Sequence, residues 1–276
     1  MKDLKSLRLN LKKTFEKNNI DVYDADCIIA EVLNVEINKL MFINSISALH
    51  YYKIKRLSKR RLKGCPITKI FKKAYFYGFE FYVNKNVLSC RQETELLVEY
   101  IEKNINKNAK ILDLCTGSGC IAISLNKIGF NNVFASDISS KALKVAKKNN
   151  KQLKTNVKFI KSDLFDNIND KFDVIVSNPP YIDDNEIDKL SVEVKNFDPI
   201  LALNGGENGL DIYEKIINKL NYYLNKNGTI IFEIGYNQGK DVCEMLKNKG
   251  YETFVIKDYS NLDRVVVGKG RIKNVR

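Results

Sequence analysis

Residues 172–181 read Phe-Asp-Val-Ile-Val-Ser-Asn-Pro-Pro-Tyr, a short apolar run that ends in two consecutive prolines. The run is rich in β-branched residues, which predicts a buried strand. Neither proline has an N–H group, and each holds φ at about −65°, so the strand must stop at Ser177. Asn178 precedes a proline and is therefore expected to be extended. A plain Asn-Pro turn would have the same local sequence, so the rest of the chain decides whether this loop carries chemistry.

From residue 110 onward, strand-like runs alternate with helix-like runs. The predicted strands are 110–115, 133–137, 157–161, 172–177 and 229–234, and the predicted helices are 120–128, 139–149, 210–224 and 238–249. Alternation of this kind is typical of a parallel sheet covered by helices on both faces. A short turn joins the last two predicted strands, 253–257 and 264–268, so one of them should be antiparallel. We therefore expect an α/β fold with a Rossmann-like, seven-stranded, mostly parallel sheet.

The chain before this region differs in pattern. Apolar residues recur at helical spacing through residues 1–64, and a last helix there carries lysines and arginines along residues 53–63. That basic face is either a solvated surface or a docking surface. Residues 74–90 alternate and are rich in aromatic residues, which predicts a hairpin. We expect a helical bundle for substrate docking at 1–72, a hairpin linker at 73–91 and the α/β domain at 92–276.

Composition limits the classes of protein. The chain has 276 residues and a net charge of +13, which indicates either an acidic partner such as nucleic acid or only a lysine-rich proteome. It has no apolar run of membrane-spanning length and no apolar signal region at its start. Its six cysteines have no C-x-x-C pair, so we expect reduced thiols in a cytoplasmic protein and no metal site. The single histidine, His50, is distant in sequence from every motif, which argues against a His-based triad.

A glycine-containing loop follows the first predicted strand of the α/β domain. It reads Asp113-Leu-Cys-Thr-Gly-Ser-Gly119, and its candidate binding residues are Cys115, Thr116, Gly117, Ser118 and Gly119. Glycines allow a tight turn and a close approach of the backbone to a ligand. The third glycine of the dinucleotide fingerprint is replaced by Ala122, which favours a ligand without a pyrophosphate.

Two acidic positions follow the next two strands. Asp137 comes 20 residues after Gly117, the position of a carboxylate that accepts hydrogen bonds from ribose hydroxyls. The alternative is a helix cap for the helix at Ser139. Asp163 and Leu164 follow the third strand, where a carboxylate can accept from an adenine amino group, although an ordinary loop aspartate is the alternative. In an open α/β sheet, ligands bind beyond the carboxyl ends of the strands, so we expect these loops and Asn178 to converge.

This order of motifs resembles the class I S-adenosylmethionine-dependent methyltransferases, and more narrowly the release-factor glutamine methyltransferases. The resemblance covers essentially the whole chain. It depends on residues 91–95, 112–121, 178–182, 197–199, 202–203, 209–210, 232–235, 258–259 and 264–265. The chain departs from the family at Cys90 and Gln92, where proline is usual, and at Lys69, Lys72 and Tyr75 near the hairpin.

The resemblance implies an enzyme that methylates the glutamine of the Gly-Gly-Gln motif of peptide-chain release factors, with S-adenosylmethionine as cofactor. An amide nitrogen is a poor nucleophile, so the side-chain oxygen of Asn178 and the carbonyl of Pro179 would accept its N–H groups and orient it. Tyr181 would pack on the flat amide, which makes Asn178, Pro179 and Tyr181 the candidate catalytic residues. Pro180 joins these three at the substrate, and Asn178 also contacts the cofactor.

Two alternatives to this function remain. A methyltransferase acting on adenine amino groups or ribosomal RNA would use the same loop and would suit the charge, although the expected recognition domain is missing after Arg264. A non-catalytic cofactor-binding protein is the other alternative, and the retention of Gly117, Asp137 and Asn178 argues against it. We expect release factors as partners, no nucleic-acid substrate, no membrane association and a monomer.

Overall fold

The computed structural model describes residues 1–270, and these fall into two compact units. Unit 1 comprises Met1–Lys72 and Val192–Phe197, and unit 2 comprises Lys73–Ser191 and the chain from Asp198 onward. Residues 192–197 therefore belong with the N-terminal unit, although the sequence had grouped them with the α/β domain. Phe197 packs on the apolar cluster of unit 1, and Glu193 forms an ion pair of 2.5 Å with Arg61. Residues 271–276 of the predicted α/β domain lie outside the described residues.

Unit 1 is helical, as the periodicity predicts. The spacing of Leu4, Leu7, Leu11 and Phe15 puts their buried side chains on one face of the first helix. Asp3 caps this helix by accepting hydrogen bonds from the N–H groups of the first turn at 3.2 and 3.0 Å. The elements are β1 (Lys2–Asp3), α1 (Leu4–Lys17), α2 (Tyr23–Leu33), β2 (Ser45–Ile46), α3 (Ala48–Leu62), α4 (Ile67–Phe71) and α5 (Val192–Phe197).

Unit 2 is built on one large sheet and one hairpin. Within residues 73–270 the sheet has seven strands, which confirms the predicted fold class. The hairpin consists of β3 (Lys73–Phe76) and β4 (Phe79–Tyr82). The sheet consists of β5 (Ile111–Leu114), β6 (Val133–Asp137), β7 (Lys158–Lys161), β8 (Phe172–Ser177), β9 (Leu224–Glu233), β10 (Tyr251–Lys257) and β11 (Asp263–Gly270).

The helices of unit 2 cover the sheet with apolar faces. They are α6 (Glu95–Asn104), α7 (Cys120–Lys127), α8 (Ser140–Gln152), α9 (Asp211–Tyr223) and α10 (Gly239–Asn248). Three apolar clusters involve these helices: α6 and α7 contribute to the first, α9 and α10 to the second, and α8 to the third. None of the helices within residues 1–270 combines the length and the apolar character that a membrane span requires.

The order of the strands determines where a ligand can bind. The sheet runs β10-β11-β9-β8-β5-β6-β7, with β5, β6, β7, β8 and β9 parallel and β11 antiparallel to both of its neighbours. The chain moves outward from β5 to β7, then returns to the other side of β5 to add β8. The switch point therefore lies between β5 and β8, and the carboxyl ends of the five parallel strands meet at one edge.

Candidate active site

The loop after β5 is shaped by a buried carboxylate. Asp113 is fully buried and accepts hydrogen bonds from the Thr116 hydroxyl at 2.6 Å and from the Ala122 N–H at 3.2 Å. Burial raises the pKa of the Asp113 carboxyl to about 7. Gly117 and Gly119 both have positive φ, at 56° and 82°, so the loop uses conformations that favour glycine.

The two glycines differ in their surroundings. A Cβ atom on Gly117 would meet nothing closer than a backbone oxygen at 4.0 Å, so the backbone is open there to a ligand. A Cβ atom on Gly119 would lie 2.8 Å from the Ile123 side chain and 3.2 Å from that of Ala146. Gly119 therefore allows α7 and α8 to pack closely, and it does not line the cavity described below.

Asp137 ends β6 and joins two loops. Its carboxylate accepts one hydrogen bond from the Gly117 N–H at 2.9 Å and one from the Ser139 N–H at 2.8 Å. Burial raises its pKa. The cap of α8 is Ser139 itself, whose hydroxyl accepts from the Ala142 N–H at 3.2 Å. An ionised carboxylate has about four acceptor sites, so Asp137 keeps capacity for further donors.

The loop after β8 is held in place by backbone hydrogen bonds to a second loop. Residues 203–209 pack against it through hydrogen bonds from the Ile182 N–H to the Leu203 carbonyl at 2.9 Å and from the Gly205 N–H to the Ile182 carbonyl at 2.8 Å. The Gln238 side chain donates to the Tyr181 carbonyl at 3.0 Å. The two prolines and these contacts therefore fix the position of Asn178 at the end of β8.

One cavity of about 320 Å³ joins the loops after β5, β6, β7 and β8. It falls within the size range of ligand sites, roughly 300–1,000 Å³. The candidate residues that line it are Cys115, Thr116, Gly117, Ser118, Asp137, Asp163, Leu164, Asn178 and Pro180. The predicted residues Gly119, Pro179 and Tyr181 are not among its lining. The Tyr181 hydroxyl instead lies 3.5 Å from Glu233 Oε1.

The cavity has further walls formed by residues that were not among the candidate site residues. Residues 86–91, which follow the hairpin, and residues 199–204 both contribute to its lining, as does Thr94. Glu233 ends β9 on the same edge of the sheet, and it is 2% exposed. The sequence signal for Glu233 was a carboxylate near the end of an apolar, β-branched strand. The family resemblance included this residue but assigned it no function.

The Glu233 carboxylate is connected to Asn178 through the hydroxyl of Thr94. Its Oε2 accepts from the Thr94 hydroxyl at 2.6 Å, and the Thr94 oxygen in turn lies 3.3 Å from Asn178 Nδ2. Burial raises the pKa of the Glu233 carboxyl to about 7. This network links the ends of β8 and β9 to the residue that precedes α6.

Comparison with known proteins agrees with this architecture. Residues 81–195 match the family model described as "Methyltransferase small domain". A methyltransferase from Pyrococcus furiosus has a similar fold, with a TM-score of 0.57 over 79% of this chain and 99% of that chain at 16% identity.

Two relatives are close in sequence, and both carry the name "Release factor glutamine methyltransferase". The relative from Thermodesulfovibrio yellowstonii is 40% identical over 267 residues, which span 93% of this chain and 95% of that protein. The relative from Clostridium acetobutylicum is 42% identical over 218 residues, which span 75% of this chain and 76% of that protein. At this identity and coverage, the chain belongs to the release factor glutamine methyltransferase family.

Proposed function

We propose that this protein transfers a methyl group from S-adenosylmethionine to the side-chain amide nitrogen of a glutamine in peptide-chain release factors. The observation that carries the proposal is the cavity in which Asn178 faces the same space as the glycine loop and Asp137. The motif order and family membership agree with it. The glutamine of the Gly-Gly-Gln motif is the acceptor that the resemblance implies.

The residues of the cavity fit S-adenosylmethionine. The open backbone at Gly117 leaves room for a ligand against the loop. Asp137 and the exposed carboxylate of Asp163 are acceptors suited to ribose hydroxyls and to an amino group. Apolar side chains such as Ile138 and Leu164 line the same cavity and suit an adenine ring. When bound, this cofactor supplies an electrophilic methyl group.

Asn178 and its neighbours would orient the acceptor amide. The side-chain oxygen of Asn178 and the carbonyl of Pro179 would accept the two N–H groups and favour the positive charge that develops on the nitrogen. Orientation of this kind can lower a barrier by roughly 7–11 kcal/mol. Pro180 lines the cavity, and the ring of Tyr181 is the proposed surface for the flat amide. No general base is required, because the alkylated nitrogen becomes acidic and loses its proton afterwards.

The test is mass spectrometry after incubation with S-adenosylmethionine that carries an isotopically labelled methyl group. The acceptors are a release factor, its variant with alanine in place of the Gly-Gly-Gln glutamine, duplex DNA and ribosomal RNA. We expect label on the unmodified factor alone. Label on a nucleic acid, with none on the factor, would overturn the proposal.

A basic recess next to the cavity favours a second candidate, a nucleic-acid methyltransferase. Lys85, Lys141 and Lys144 line this recess, which shares Asn86 with the main cavity. Lysines in such an arrangement can contact phosphates. Phosphate-driven binding falls steeply with salt, with a log–log slope near about −0.9 per phosphate on duplex DNA. Methylation of DNA or RNA with this salt response would support the second candidate.

The same proposal extends to the partner and to the assembly. We propose that unit 1 docks the release factor through its basic helix α3 and that the enzyme acts as a monomer in the cytoplasm. Light scattering of the purified protein tests the assembly.

Replacement of Lys53, Lys55 and Arg56, all exposed on α3, with alanine should raise KM for the factor without lowering kcat.

A further inference from the structure

The hydroxyl of Thr94 is used in an unusual way. Thr94 directly precedes α6, where threonine commonly caps a helix through its side chain. Here it makes no cap hydrogen bond, and its backbone is helical, with φ −65° and ψ −21°. Its side chain is buried, and its oxygen lies between Glu233 Oε2 at 2.6 Å and Asn178 Nδ2 at 3.3 Å. The hydroxyl therefore connects these two side chains instead of stabilising the helix.

The chemistry of the three groups sets the direction of both hydrogen bonds. An ionised carboxylate only accepts, and a threonine hydroxyl has one proton to give. That proton goes to Glu233, so the Thr94 oxygen can only accept from Asn178. Asn178 must then direct its NH₂ group toward Thr94, which leaves its side-chain oxygen on the opposite side of the amide.

We propose that Glu233, acting through Thr94, holds the amide of Asn178 in the orientation that presents its oxygen, and not its nitrogen, to the substrate glutamine. This inference rests on the proposed function, because an acceptor oxygen at Asn178 is what orients a substrate N–H. Glu233 and Thr94 are positioning residues: both act through Asn178. A misplaced acceptor costs rate, and a shift of about 1 Å can cost roughly 100-fold.

Protonation of Glu233 reverses the relay. A protonated carboxyl can donate to the Thr94 oxygen, which frees the Thr94 proton for the Asn178 oxygen. The amide of Asn178 then rotates and presents its NH₂ group, which cannot accept from the substrate. Because burial raises the pKa of Glu233 to about 7, this reversal falls near neutral pH.

The charges around Glu233 act in both directions. The positive charges of Arg264 and Arg91 favour its ionised form, and Glu93 opposes it. Arg264 is itself paired with Asp258 at 3.1 Å. The other titratable groups that face Glu233 are the hydroxyl of Tyr181 and Tyr213, whose hydroxyl donates to the Glu233 backbone carbonyl at 2.7 Å. The net effect favours a proton on Glu233 below about pH 7.

The first test separates positioning from binding. Thr94→Val keeps the shape and removes the relay, so kcat should fall roughly 10- to 100-fold, with KM and cofactor affinity by calorimetry kept within about twofold. Thr94→Ser keeps the hydroxyl and should restore most of the rate. Thr253→Val is the matched control, because the Thr253 hydroxyl is buried in β10 without a hydrogen-bond partner. Weakened cofactor binding with an unchanged kcat would overturn the proposal.

A double-variant cycle tests whether the relay acts through Asn178. In the Asn178→Ala background, Thr94→Val should cause no further loss of kcat, since there is no amide left to orient. The same fold-loss in both backgrounds would mean that Thr94 acts independently, and the proposal would be wrong.

The pH profile tests the role of Glu233. In the wild type, kcat should fall as pH decreases through about 7. Glu233→Gln can both accept from and donate to Thr94 at every pH, so it should weaken the preference for one orientation of Asn178, lower kcat at pH 8 and lose this acid limb. Glu244→Gln, an exposed change on α10, should keep the limb. An unaltered acid limb in Glu233→Gln would overturn the role of Glu233.

A readout without any methyl acceptor keeps this inference separate from the proposed function. The side-chain amide of Asn178 gives an NMR signal that is assigned by its loss in Asn178→Ala. We expect this signal to shift between pH 6 and pH 8 in the wild type, and not in Glu233→Gln or Thr94→Val. A signal that ignores pH and both variants would refute the relay, whether or not the release factor is methylated.

Discussion

Asp137 holds two loops together, and we propose that the same carboxylate also binds the ribose of the cofactor. It already accepts the N–H groups of Gly117 and Ser139, so its removal should loosen the glycine loop as well as remove a ligand contact. Its place at the end of a predicted strand, 20 residues after Gly117, made it predictable. Its two backbone donors were not predictable, because they depend on how the loop folds back.

We expect Asp137→Ala to weaken S-adenosylmethionine binding. A charge-assisted hydrogen bond contributes about 1.5–3 kcal/mol, which corresponds to roughly 10- to 100-fold in Kd. Calorimetry measures the affinity, and thermal unfolding of the same sample measures any damage to the loop. Asp184→Ala, at an exposed position outside the cavity, is the control. Unchanged affinity in Asp137→Ala would remove the ribose assignment.

Asn178→Ala should lower the rate of methyl transfer more than it raises KM. In the proposed mechanism, the side-chain oxygen of Asn178 acts on a nitrogen where charge develops, so its effect belongs to the transition state. A loss of roughly 100- to 1,000-fold is typical for a preorganised polar group of this kind. Single-turnover kinetics on the release factor measures the step. A preserved rate with only a raised KM would make Asn178 a binding residue.

At the scale of elements, the loop after β8 depends on its neighbour in space. A Cβ atom on Gly209 would lie 2.1 Å from the Tyr181 carbonyl oxygen, and one on Gly205 would lie 2.7 Å from Tyr181 Cα. The two loops are therefore in backbone contact, which only glycine permits. Gly209 is one of the residues on which the family resemblance depends. The packing explains why glycine is needed there, since it allows the two loops to approach closely.

Gly209→Ala should disturb the active-site loop. Its φ of +70° and the 2.1 Å approach both oppose a side chain, so we expect a loss of about 3 kcal/mol in the free energy of unfolding. Gly250→Ala is the matched control, with a φ of +88° and no atom within 4 Å of the added Cβ, so strain alone should cost about 1 kcal/mol. Urea denaturation compares the two. Equal losses would show that the contact with Tyr181 is not tight.

For the whole molecule, a buried carboxylate makes the free energy of unfolding depend on pH. Burial raises the pKa of Asp113 to about 7, whereas an aspartate in the unfolded chain titrates near about 3.9. Between these values the folded protein binds more protons than the unfolded protein. The contribution of Asp113 to the free energy of unfolding therefore decreases as pH rises through this window.

We expect Asp113→Asn to remove this part of the pH dependence. The variant should lose less stability than the wild type between pH 5 and pH 8, as measured by urea denaturation at each pH. Asp184→Asn, an exposed change, should keep the wild-type slope. If Asp113→Asn and the wild type have the same slope, Asp113 does not hold a proton in the folded state near neutral pH.

Local sequence patterns are enough to predict most of the strands and the loop motifs of unit 2. The predicted strand at 133–137 and the strand that ends at Ser177 match β6 and β8, because apolar runs, β-branched residues and prolines act within a few residues. The antiparallel strand near the end was predicted from the short connection before it. Asn178 and Asp137 were proposed as site residues for a related reason, since Asn178 directly follows one strand and Asp137 is the last residue of another.

Contacts between residues that are distant in sequence depend on how the folded chain packs. Thr94 and Glu233 are 139 residues apart in sequence, and they meet because α6, which begins directly after Thr94, packs against β9. The grouping of residues 192–197 with unit 1 likewise depends on where Phe197 finds an apolar cluster. The raised pKa of Glu233 comes from burial, which exists only after the chain has packed around it. Local sequence patterns carry no information on such contacts, because the contacts arise from how distant segments of the chain pack together.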